Sequence, residues 1–133
     1  MPKFMLDTNI CIYLMKNQPE QVARRFAECV IGDVVMSAIT FAELEYGVSV
    51  SRDPDRERAN LDDLAEMIPA APFDIEAARA YGPVRKATQD RKRDHLDKLI
   101  AAHALALDVV LVTNNIRDFQ AYPGLRLDNW LEA

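Results

Sequence analysis

Four carboxylates stand where they could do joint chemistry: Asp7 after "KFML", Glu43 in "SAITFAELEYG", Asp97 in "HLDKLIAAHALAL" and Asp118 in "LVTNNIRDF". Taken singly, each has an ordinary role. Asp7 can cap a helix that begins near Asn9. Thr40-x-x-Glu43 reads as a capping box. Asp97 suits the positive end of a helix dipole, and Asp118 suits a turn. Gathered in one cleft they pose a different problem. Two carboxylates ~5 Å apart repel by ~3 kcal/mol at an effective dielectric of about 20. Three or four cannot all stay ionised without a counter-charge, and no Lys or Arg adjoins Asp7 or Glu43 in the sequence. Oxygen-only ligands suit Mg2+, with Mn2+ as substitute, and such an ion serves phosphodiester hydrolysis by activating water and stabilising the leaving oxygen.

That reading needs a fold to bring the four together. Short apolar runs mark strands at 4–6, 34–37, 70–73, 108–114 and 125–130. Helical spacing marks 9–16, 41–50, 54–68, 75–89 and 95–107, with Gly82-Pro83 expected to kink or divide the fourth. Alternating strands and helices predict a parallel sheet covered on both faces. Ligands in such folds bind beyond the carboxyl ends of the strands. Asp7, Glu43 and Asp118 should then share one rim. Asp97 joins them only if its helix begins there, and the antiparallel run of a crossover helix is expected to work against that.

The 133 residues predict a single domain, 1–133, with half of them hydrophobic. There is no apolar run of membrane-span length and no signal peptide at the N-terminus, so a cytoplasmic location is expected. Cys11 and Cys29 show neither disulfide nor zinc spacing. The net charge of −5 does not suit a polyanion. One stretch does: 85–98 carries six basic and three acidic residues, +3, which leaves −8 for the rest.

In order and spacing, "FMLDTNICIYLMKN", "SAITFAELEYG", "LDKLIAAHALAL" and "LVTNNIRDF" resemble the motifs of VapC-type PIN-domain ribonucleases. The resemblance runs over essentially the whole chain, to the closing "GLRLDNW". It implies a three-layer α/β/α sandwich around a parallel sheet. It also implies Mg2+- or Mn2+-dependent endonucleolytic cleavage of structured RNA (tRNA or rRNA loops), with products bearing 5′-phosphate and 3′-hydroxyl ends. Such a protein is the toxin of a type II pair, held by a VapB-like antitoxin, and commonly a homodimer. By the same resemblance Asp7, Glu43 and Asp97 gather at the metal with Asp118 as the usual fourth, and the helix bearing Asp97 comes up to the cleft. Asn115 competes for the fourth place. The chain departs from the pattern before "LIAAHA", where "DRKRDHLDK" offers Asp94 as an extra ligand or a basic run as an RNA contact.

Thr8, Asn9, Thr113 and Asn114 are candidates to orient the carboxylates, against plain capping and turn duty. His103 fits a hydrogen-bonded, partly buried position better than catalysis, and His95 fits an RNA contact at most. Tyr13, Met15 and Met36 suit the core before a partner groove, and Trp130 should anchor the last strand. The alternative function is a PIN-fold module that binds RNA or a partner without turnover. Phosphotransfer domains are disfavoured: a receiver wants an acidic pair near the N-terminus with its phosphorylated Asp after the third strand, and a dehalogenase-type phosphatase wants Asp-x-Asp, where this chain has Asp7-Thr8-Asn9.

Overall fold

The computed structural model describes residues 1–132. In chain order the elements are β1 (Phe4–Leu6), α1 (Thr8–Lys16), α2 (Glu20–Ala27), β2 (Val34–Ser37), α3 (Ala38–Ser49), α4 (Pro54–Met67), β3 (Ala70–Ala71), α5 (Ile75–Ala87), α6 (His95–Leu107), β4 (Val110–Val112), α7 (Ile116–Phe119) and β5 (Leu127–Asp128). The strands form one five-stranded sheet in the order β3-β2-β1-β4-β5, every pairing parallel.

Period-2 side-chain alternation divides the core in two. Leu6, Val34, Met36 and Val112 face one layer, with α1, α3 and α4 packed over them through Ile10, Leu44, Leu61 and Leu64. Met5, Val35 and Leu111 face the other, under Val84 of α5, Ile100 and Ala104 of α6, and Phe119 of α7. This is the three-layer α/β/α sandwich around a parallel sheet. Met36 is fully buried in the first layer, so it belongs to the core and not to a partner groove. Trp130 is also buried and meets Phe4 edge-on at 5.7 Å, closing the same layer. Among the described residues no helix is long and apolar enough to cross a membrane.

Register fixes the functional edge. Leu6 pairs with Met36 on one side and with Val112 on the other, so the three central strands end level. Asp7, Ser37 and Thr113 therefore follow side by side. The chain also leaves β1 toward β2 on one flank and reaches β4 on the other, which makes the carboxyl end of β1 the switch point of the sheet.

Several boundaries differ from the sequence expectation. α3 starts three residues earlier than the apolar pattern: Ser37, not Thr40, caps it by accepting from the Ile39 N–H at 3.0 Å. The Thr40–Glu43 capping box is thus not formed, and Glu43 lies in the second turn. α5 runs unbroken through Pro83, because its packing against α6 outweighs the one backbone hydrogen bond that proline removes. α2 and α7 were not expected at all. Each is short; "EQVARRFA" does carry an apolar stripe, Val22 and Phe26 at i and i+4, but one spanning only two turns of an eight-residue helix. The outer strands β3 and β5 are two residues long, well short of the apolar runs that suggested them.

Candidate active site

The site is assembled from three junctions. Asp7 is the N-cap of α1, where its Oδ1 accepts from the Ile10 N–H at 3.0 Å, and it is only 5 % exposed. It is both the capping residue and a wall of the cleft, so the two readings of Asp7 do not compete. Glu43 comes from α3, and its Oε1 accepts from the Thr8 hydroxyl at 2.7 Å. Asp97 sits in the first turn of α6. A helix that runs antiparallel to the strands begins at their carboxyl edge, so the crossover direction brings Asp97 to the rim and does not keep it away, contrary to expectation. The three carboxylates line one cleft of about 120 Å³ together with Thr8, Asn9 and Asn115, over a floor of Ile100 and Phe119.

The electrostatics of this cleft are unfavourable by construction. Burial pushes the Asp7 carboxyl above its usual 3.8, and the Glu43 charge adds to that. The Thr113 hydroxyl and the Ile10 and Asn9 N–H groups oppose the rise. Asp97 is pushed up to about 6, first by burial and then by the charges of Asp7, Asp94, Glu43 and Asp118. Among the described residues no Lys or Arg lines the cleft. A protein that keeps like charges together without a cation of its own suits a bound one.

The donor set is all oxygen, which fits a hard divalent cation. Among the described residues no three carboxylate, imidazole or thiolate groups form a ready-made cage.

Asp118 stands apart. It does not line the carboxylate cleft, its side chain is 48 % exposed, and Arg91 pairs with it at 3.4 Å while donating to its backbone carbonyl at 2.9 Å. Asn115 lines the cleft instead and donates to Asp118 Oδ2 at 2.9 Å. Asp94 is committed elsewhere. It takes Lys98 Nζ at 3.0 Å, Arg91 at 3.6 Å and the Tyr122 hydroxyl at 2.6 Å. Burial alone would raise Asp94; the Tyr122 and Lys98 hydrogen bonds and the two cations bring it below its usual value. This network binds the loop before α6 and so sets where Asp97 begins. Lys98 is almost fully buried and also donates to the Arg91 carbonyl at 2.7 Å.

Of the expected orienting groups, Thr8 and Thr113 touch carboxylates, and Asn9 lines the cleft. Asn114 turns away and donates to the Tyr13 hydroxyl at 3.0 Å. His103 is buried against Ser37 and does not line the cleft, while His95 is exposed and lines a separate groove with Arg85 and Lys92. The sequence reading missed the Arg91 contact with Asp118, which joins residues 27 apart and leaves no local pattern.

Comparison with known proteins agrees with this geometry. The PIN domain profile matches residues 4–125. The chain belongs to the PIN-domain family, within its VapC ribonucleases. It is 39% identical to the tRNA(fMet)-specific endonuclease VapC of Shigella flexneri, over 98% of this chain and 99% of that protein. It is 34% identical to ribonuclease VapC2 of Rickettsia felis, over 96% and 97%. Among solved structures it is similar to the DNA-bound VapBC complex of Salmonella typhimurium, with a TM-score of 0.90 at 37% identity over 98% of this chain and 99% of that one. Nucleases of this family generally depend on a divalent metal ion.

Proposed function

We propose that this chain is a single-domain endoribonuclease whose cleft holds Mg2+, or Mn2+ in its place, through Asp7, Glu43 and Asp97, with Asp118 or Asn115 contributing the outermost contact. One observation carries the reading: carboxylates from three separate elements crowd one cleft that no cationic side chain lines, with Asp97 pushed up to about 6. When bound, the ion supplies charge neutralisation and Lewis acidity to water attack on phosphorus and to the departing 3′ oxygen. The chain itself does the positioning. The Ile10 N–H and Thr113 hydroxyl fix Asp7, the Thr8 hydroxyl fixes Glu43, and Ile100 and Phe119 exclude water from beneath the cleft.

The substrate is structured RNA, and the name of the Shigella relative favours a tRNA loop over a ribosomal one. The solved Salmonella complex supports a toxin held by a VapB-like antitoxin, and the homodimer belongs to the same proposal. Brief induction followed by mapping of RNA ends tests it. New 5′-phosphate ends at one tRNA loop are expected with the intact chain and are lost with Asp7→Asn. Cleavage by Asp7→Asn at the wild-type rate would sink the assignment, and a chain that binds RNA and Mn2+ without cutting would be the non-catalytic module.

A further inference from the structure

Beside the carboxylate cleft lies a larger groove of about 790 Å³, between the end of α5 and the start of α6. Its walls carry Arg85, Lys86, Arg91, Lys92, His95 and Lys98, and no acidic residue lines it. Two of those cations are spent: Lys98 on Asp94, and Arg91 on Asp94 and Asp118. Arg85, Lys86 and Lys92 are exposed and make no ion pair among the described residues. Basic residues in the last turn of a helix complement its dipole, which accounts for Arg85 and Lys86 singly. It does not account for Lys92 and His95 facing them across a groove.

Position completes the argument. A third hollow, lined by Asp90 to Asp94 with Asp97 and Asp118, shares Arg91 and Lys92 with the basic groove and Asp97 with the carboxylate cleft. The basic groove and the carboxylate cleft thus flank the same hollow, which is lined by Arg91, Lys92 and Arg93 alongside Asp90, Asp94, Asp97 and Asp118. Outside residues 85–98 the chain carries −8, so this segment is where the sequence concentrates positive charge against an otherwise acidic chain.

We propose that the groove formed by Arg85, Lys86 and Lys92 holds backbone phosphates of the RNA on one side of the cleaved linkage, without reading its bases. This rests on the ribonuclease reading of the neighbouring cleft. It assigns the exposed cations of α5 and of the loop before α6 to substrate affinity, and the carboxylates to cleavage.

The test separates the two. A labelled stem–loop RNA is titrated against the full chain in an Asp7→Asn background at several salt concentrations, so that binding is read without turnover. Removing three phosphate contacts with Arg85→Gln, Lys86→Gln and Lys92→Gln should flatten the slope of log K against log salt by about 2 to 3. Affinity at about 0.1 M salt should fall by roughly tenfold to a hundredfold. A control with the same charge change elsewhere, Lys3→Gln, Arg24→Gln and Arg52→Gln, should keep the parent slope. Equal slopes for groove and control variants overturn the proposal. So does a groove variant that loses labelled polyglutamate but not RNA, which would give the groove to an acidic protein. Intact wild-type protein that leaves RNA uncut in Mg2+ would instead overturn the ribonuclease reading, whatever the binding slopes.

Discussion

His103 Nδ1 lies 2.7 Å from Ser37 Oγ, and this one hydrogen bond ties the helix carrying Asp97 to the cap of the helix carrying Glu43. Ser37 Oγ also accepts from the Ile39 N–H, and a hydroxyl can donate one proton and accept twice, so the pair with the imidazole forms with either ring tautomer. Both side chains are buried, and Phe73 covers the ring edge-on at 5.3 Å. Ser37→Ala removes a cap worth about 1 kcal/mol and strands a buried ring nitrogen at a further cost of about 1–3 kcal/mol. The expected loss is ~2–4 kcal/mol, read as a fall of several degrees in melting temperature. A variant that melts with the wild type would mean the link is not a support.

The same histidine gives a pH dependence of stability with a definite sign. Burial lowers its folded pKa below the usual 6.5, against the pull of Asp74 and the Pro72 carbonyl. Below 6.5 the unfolded chain therefore takes up a proton that the folded one resists. Its contribution is intact above pH 6.5 and is lost as pH falls toward the folded value. Urea denaturation of His103→Asn against the wild type, at pH 7.5 and at about pH 5.5, should show the wild type losing more on acidification. Parallel pH profiles would exclude the histidine as the cause.

Asp97 behaves in the opposite sense. Its folded pKa of about 6 stands above the usual 3.8, so its own contribution to stability is full below 3.8 and is lost as pH rises through about 6. Asp97→Asn removes that charge from a cleft already holding Asp7 and Glu43. In metal-free buffer the variant should be more stable than the wild type at pH 7.5 and should lose most of that advantage near pH 4. Its RNA cleavage should fall by more than the roughly hundredfold that loss of an outer hydrogen-bond partner costs a metal site. An Asn variant less stable than the parent at neutral pH would contradict the crowding of charge.

A divalent ion should relieve that crowding, and the relief is measurable without any RNA. At a hundredfold excess over its dissociation constant Mn2+ should raise stability by about 2.7 kcal/mol, and Asp7→Asn should abolish the effect. Below pH 6 the ion competes with the Asp97 proton, so apparent affinity should drop about tenfold per pH unit there and level off above. Titration calorimetry across pH 5 to 8 reads both limbs. A flat profile would remove Asp97 from the ligand set.

How much of this was legible without coordinates depended on whether the signal was local. β1, β2 and β4 announced themselves because a strand covered on both faces must be apolar throughout, and Asp7 was then stranded at a predictable edge. Glu43 and Asp97 were placed by helical periodicity and by the family resemblance, even though the start of α3 was misjudged: Ser37 and Thr40 are both good caps, and only the packing of Thr40 in the interior decides between them. What escaped were contacts between residues distant in the chain. Arg91 with Asp118, Tyr122 with Asp94 and His103 with Ser37 obey no spacing rule, because they are consequences of the finished packing.

Asp118 is where that limit matters for chemistry. Its half-exposed carboxylate is shared between Arg91 and Asn115, and it stands outside the cleft that Asp7, Glu43 and Asp97 line. Because that carboxylate does not line the cleft and is already paired, Asp118→Asn should weaken Mn2+ binding much less than Asp7→Asn does. Asn115→Asp should do the reverse, because it sets a further carboxylate in the lining of the cleft, and Mn2+ affinity should rise while metal-free stability falls. Calorimetry on the two variants beside Asp7→Asn decides the matter. If Asp118→Asn loses as much affinity as Asp7→Asn, the guanidinium of Arg91 must release its partner when the ion binds, and Asp118 takes the fourth place after all.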